Sequence, residues 1–143
     1  MTSDTQADEA LRQRFIGMWR CVSVTHNGGL SPDRGANPTG YIVYHPSGAM
    51  AAQIMPSHPR PKFASREPTP EEAKAAFFGY IAYFGTFSVD VANSTVIHHR
   101  QGSLNPSTIE DVVRRFEFIG DNRVVLNPLE HPANKITWER LPD

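Results

Sequence analysis

"STVIHHRQGS", residues 94–103, reads as a β-strand, and it sets two histidines side by side at 98 and 99. Successive side chains of a strand project to opposite faces. His98 and His99 therefore cannot play the same part, since one faces inward and the other faces away. Charges mark the solvent face of a strand, so Arg100 is expected to point outward and to take Val96 and His98 with it. That leaves Ile97, His99, Gln101 and Ser103 facing inward.

Stretches of the same kind follow at 80–90 (YIAYFGTFSVD), 112–120 (VVRRFEFIG), 122–128 (NRVVLNP) and 135–141 (KITWERL), with turns at 91–93 and 120–122. Upstream, "WRCVSVTH" (19–26) leads into a loop dense in Gly, Pro, Asn and Asp (27–40). "YIVYHPSGAMAAQIM" (41–55) reads as two strands about a turn at His45–Gly48. The 56–70 segment holds five of the twelve prolines and reads as a flap rather than a central strand. Two stretches carry helical signals. In 7–19, Leu11, Phe15 and Met18 recur at helical spacing. In 69–80, Thr69 is an N-cap, Pro70 opens the first turn and Glu72 completes a capping box. Residues 1–7 are expected to be a flexible tail. About eight short strands with one or two helices describe an antiparallel barrel or sandwich, and a barrel of that size can enclose one small ligand.

The chain has 143 residues, of which 39% are hydrophobic and 20% charged, as expected of one globular domain spanning 1–143. A net charge of −1 leaves no electrostatic footprint for nucleic acid or an anionic membrane. Cys21 is the single cysteine, so no internal disulfide forms. No stretch has membrane-spanning length, and the polar start of the chain has no apolar signal core. The expectation is a soluble, cytoplasmic protein, and a homodimer is compatible with the composition. No Gly-rich phosphate loop, G-x-S-x-G elbow or paired-carboxylate motif is present. His26, His45, His58 and His131 fall in separate segments without metal-ligand spacing, so no metal and no cofactor are expected.

Gly17 and Trp19 on the first strand, with Trp138-Glu139-Arg140 on the last, resemble the lipocalin signature, in which an arginine of the closing strand packs over the tryptophan at the barrel floor. The blocks at 40–55, 77–90, 96–106 and 114–118 extend the likeness. From about Phe15 to Leu141 the chain resembles the small lipocalin-like domain family of bacteria and fungi. That resemblance implies an all-β, antiparallel up-and-down barrel with a hydrophobic cavity, a short N-terminal helix and a second helix before the central strands. It also implies either a carrier or a cofactor-free cyclase or isomerase of natural-product pathways.

Phasing the other strands by their charges places Tyr83, Gly85, Phe87 and Val89 inside, with Arg114, Phe116 and Phe118 on the next strand and Ile136, Trp138 and Arg140 on the last. The first strand is expected to turn Cys21, Ser23 and Thr25 inward. The 41–45 strand is ambiguous between Tyr41 with Val43 and Ile42 with Tyr44. Met50, Gln53, Met55 and Tyr80 complete the expected ligand wall, alongside Ser23, Tyr41, Tyr44, Phe87, Gln101, Phe116 and Trp138. Arg114 carries most of the functional argument, because a guanidinium stays charged and needs an anion or several acceptors. His99 is either a hydrogen-bonded core histidine or a general acid and base. A cavity phenol such as Tyr83 can donate to a developing oxyanion. Gly17, Trp19 and Arg140 are structural; Arg60 and Lys62, with Asp33 and Arg34, are expected to ring the open end.

The expected function is binding of a small hydrophobic carbonyl, phenol or carboxylate compound. The favoured form is cofactor-free isomerisation, cyclisation or dehydration by His99, Arg114 and Tyr83. The alternatives are a carrier using the same cavity, and a protein-interaction module using the 56–70 flap.

Overall fold

Each β-patterned stretch pairs with its neighbour in sequence, across short turns at 45–48, 91–94 and 120–122 and longer connections elsewhere, so the connectivity is up-and-down throughout. A computed structural model describes residues 3–30, 35, 37–57 and 59–142. Its elements are α1 (Ser3–Phe15), β1 (Gly17–His26), β2 (Gly29–Leu30), β3 (Thr39–Tyr44), β4 (Ala49–Met55), α2 (Pro70–Phe78), β5 (Ile81–Asp90), β6 (Thr95–Ser103), β7 (Val112–Ile119), β8 (Arg123–Pro128) and β9 (Lys135–Arg140). Strands β1 and β3 to β9 pair antiparallel in that order, and β9 returns to β1 to close an eight-stranded barrel. The two-residue β2 only flanks the end of β1.

Helix α1 plugs one end. It begins at Ser3, so most of the expected tail is helical; Asp8 accepts a hydrogen bond from the Val91 amide at 2.9 Å and ties this helix to the β5–β6 turn. Phe15 is fully buried and meets Tyr44, Phe116 and Phe118 at centroid distances of 5.4, 5.3 and 5.1 Å. Beneath it the Arg140 guanidinium lies 4.1 Å over the Trp19 ring and donates to the carbonyls of Ile16 and Arg14. Gly17 sits at φ +136°, where a Cβ would come within 2.7 Å of that guanidinium. A side chain there would strain the backbone and have to displace the guanidinium.

The inner face comprises Trp19 and Cys21, then Ile42, Tyr44, Met50, Ala52, Ile54, Phe87, Val96, His98, Val124, Leu126 and Trp138. Two expectations of phase are corrected and one open choice is resolved. A bulge in β1 between Cys21 and Ser23 pairs Ser23 with Thr137, on the outer side of β9, and Val24 packs toward the core instead. On β3, Ile42 and Tyr44 face in, while Tyr41 is 49% exposed. On β6 the phase is opposite to that expected: His98 is buried, and His99 and Gln101 lie outside. A second bulge causes the rest. Phe84 pairs with Gly102 and Gly85 with Arg100, leaving Gln101 as the extra residue and returning Ser103 to the inner side. Gly85 permits it, since a Cβ there would meet the His99 carbonyl oxygen at 2.0 Å.

Candidate functional site

The misleading residue was Arg100. Its side chain is only 15% exposed: it lies 5.5 Å over the Tyr83 ring, donates to the Glu110 carbonyl at 2.8 Å and faces the Glu110 carboxylate at 3.7 Å. A guanidinium at a barrel mouth can lay its stem on aromatic surface and still reach polar partners. Charge therefore did not mark the outer face of this strand.

With Arg100 turned in, His98 follows. Its Nε2 lies 2.6 Å from the Tyr44 hydroxyl and its Nδ1 lies 2.8 Å from the Tyr83 hydroxyl. Burial, with the nearby Arg114 and Arg100 charges, pushes the imidazole well below its ordinary pKa of 6.5, so it is neutral. A neutral imidazole has one donor and one acceptor nitrogen. Tyr44 is enclosed, and its hydroxyl has no other partner among the described residues. Both groups are satisfied when Tyr44 donates to Nε2 and Nδ1–H donates to the Tyr83 oxygen. The Tyr83 proton is then left to point toward the mouth. Burial also raises the Tyr44 phenol well above its usual pKa of 10, so it remains protonated.

Tyr83, Arg114 and Ile81 line two adjoining spaces. Inward lies an enclosed cavity of about 30 Å³, whose walls include Ile42, Leu126 and Trp138. It holds little more than one water, so the expected roomy hollow inside the barrel is replaced by packed aromatic and aliphatic side chains. Outward lies a cleft of about 300 Å³ between α2, the start of β5 and the 103–108 loop. Phe77, Phe78 and Leu104 supply apolar wall; Arg100, Ser103, Asn105 and Thr108 supply polar groups. The Arg114 side chain makes no hydrogen bond or ion pair with any described residue.

The remaining expected residues divide. Tyr80 reaches the cleft and donates to Gln53 on the outer wall. Tyr41, Gln53 and Met55 line an outer depression with Met18, not the interior. Met50, Phe87, Phe116 and Trp138 belong to the core. His99 binds Ser88 and Asp111 on the outer wall, away from Arg114. Arg60 donates to the Ala76 carbonyl and lies over Tyr80, fastening the flap to α2. Asp33, Arg34 and His58 fall outside the described residues. Among those residues no cluster of His, Cys, Asp or Glu is placed to hold a metal, and no helix is long and apolar enough to cross a membrane. Sequence reasoning missed His98 and Arg100; Ser103, read as inward, lies at the cleft.

These features define a closed up-and-down barrel with a cleft at one mouth. The family model described as "Lipocalin-like domain" matches residues 16–140, and the chain belongs to that family. A search of curated proteins returns no match. A barrel of this family is consistent with binding of small hydrophobic molecules.

Proposed function

We propose that the protein binds a small, partly apolar compound in the mouth cleft, and that Arg114 and the Tyr83 hydroxyl receive its carbonyl, phenolate or carboxylate oxygen. One observation carries this reading: a guanidinium without a counter-ion among the described residues lines the same cleft as the Tyr83 phenol. Arg114 cannot shed its charge, so an incoming anion or strong acceptor gains a charge-assisted hydrogen bond there. The cleft volume of about 300 Å³ is at the lower end of the usual range for ligand sites, which favours a compact guest. Calorimetric titration with a panel of small aromatic carboxylates and phenols tests this. Arg114→Met is expected to weaken binding by roughly ten- to a hundredfold, the worth of one hydrogen bond to a charged group. Equal affinity in that variant, or no binding across the panel, overturns it.

The Tyr83–His98–Tyr44 chain favours a second reading, cofactor-free isomerisation, cyclisation or dehydration of the bound compound. In it the Tyr83 hydroxyl and Arg114 stabilise negative charge developing on the substrate oxygen. His98 acts as a positioning residue that fixes the Tyr83 proton, replacing the catalytic part expected of His99. Tyr83→Phe should then lower kcat more than it raises KM. Absence of any product by mass spectrometry, with binding intact, leaves the carrier.

A further inference from the structure

The outer wall carries a second constellation that the cleft does not use. On β5 and β6, Ser88 Oγ lies 2.8 Å from His99 Nε2, and His99 Nδ1 lies 3.0 Å from the Asp111 carboxylate. The carboxylate can only accept, so it holds the proton on Nδ1 and leaves Nε2 to accept from the serine hydroxyl. This is the order of contacts that activates a serine. It arises because the β6 phase turns His99 outward, diagonal to Ser88 across the pair, while the 104–111 loop brings Asp111 back beside it.

Ser88 also lines a groove of about 580 Å³ between β5 and α1, which Phe87, Val89 and Arg12 help to form. The Phe87 amide donates to the carbonyl of Gly48, the residue just before β4. Strand alternation aims the Val89 amide along the same edge, past the point where β4 pairing stops at Ala49. An amide one residue after the serine can receive charge that develops on an acyl oxygen, while Arg12, which donates to the Pro46 carbonyl at 2.6 Å and lies 3.7 Å from Glu9, forms part of the groove wall.

We propose that Ser88, His99 and Asp111 form a nucleophilic site for small carboxylic esters whose acyl group lies in the α1–β5 groove. Ser88 Oγ bonds to the acyl carbon and passes its proton to His99 Nε2. The ester C–O bond breaks and the alcohol leaves with that proton. Water then attacks the acyl-serine, its proton passing through His99 back to Oγ, and the carboxylic acid departs. The sum is ester plus water giving acid plus alcohol.

The full chain is treated with an alkyl fluorophosphonate, which bonds Oγ to phosphorus with loss of fluoride and the serine proton, and separately with p-nitrophenyl acetate. The expected result is one adduct, mapped to Ser88 by peptide mass spectrometry, together with nitrophenol release. His99→Ala should slow both by about 10²-fold or more, the usual worth of a general base. Asp111→Asn should slow them less, and Ser88→Ala should remove the adduct. No adduct on Ser88, or labelling of His99→Ala at the native rate, overturns the proposal. His99 and Asp111 side chains are 39% and 57% exposed, so neither variant empties the core. Should His99→Ala nevertheless fail to fold, an unchanged rate in Asp111→Asn also overturns it.

Discussion

His98 sits between two phenols that play unequal parts. Tyr44 is enclosed, so removing its hydroxyl strands an imidazole nitrogen in the core; Tyr83 borders the cleft, where solvent can replace it. Tyr44→Phe is expected to cost about 1–3 kcal/mol, and Tyr83→Phe clearly less, both read from urea denaturation. The same histidine makes stability depend on pH. Its folded pKa lies well below 6.5, so on acidification the unfolded chain takes up a proton that the folded protein refuses. Stability from this source is complete above about pH 6.5 and declines as pH falls below it toward the folded value. Denaturation at pH 7.5 and 5.5 should show that loss, and His98→Gln should shrink the difference even though it lowers stability at both. Which histidine faces inward was not legible from residues 94–103, because the deciding contact is Arg100 on Tyr83, a residue from another strand.

The strands and helices differ in what secures them. β6 keeps its register through a bulge opposite Gly85, and β1 has another after Cys21. Bulges re-aim every residue beyond them, and nothing in a two-residue repeat announces them. Helix α2 is different, for its cap was legible: Thr69 accepts from the Glu72 amide at 3.2 Å, and the Glu72 carboxylate accepts from the Thr69 amide at 2.8 Å. That carboxylate also accepts from the Ala64 amide at 3.0 Å, so the cap ties the flap to the helix. No α2 residue is fully buried. Thr69→Ala is therefore expected to cost about 1 kcal/mol locally. Amide exchange should quicken in α2 and at Ala64 while the barrel amides are unaffected.

Closure of the barrel leaves two ends with opposite character. One is sealed by Phe15, Trp19 and Arg140 in contact; the other holds the cleft and the Arg114 cation. Phe15→Ala removes the ring that three other aromatics pack against and is expected to cost about 3–5 kcal/mol, measured as a lowered urea midpoint. The sealed end depends on Gly17, Trp19 and Arg140, and those residues were recognisable from their positions at the two ends of the strand series. The cleft was not, because it is assembled from α2, β5, β7 and the 103–108 loop.

Periodicity and turn chemistry along the chain were enough for about eight antiparallel strands, the α2 cap and the inward setting of Arg114, Phe87 and Trp138, since each depends on neighbours a few residues away, while the up-and-down barrel followed from the family resemblance. Tertiary contact alone selected His98 over His99 and Tyr44 over Tyr41, moved Ser23 and Gln101 outward, and filled the interior so that the open space lies at the mouth. Those outcomes turn on bulges and on side chains meeting across strands, where the partners are distant in sequence and packing, rather than polarity, decides which face is buried.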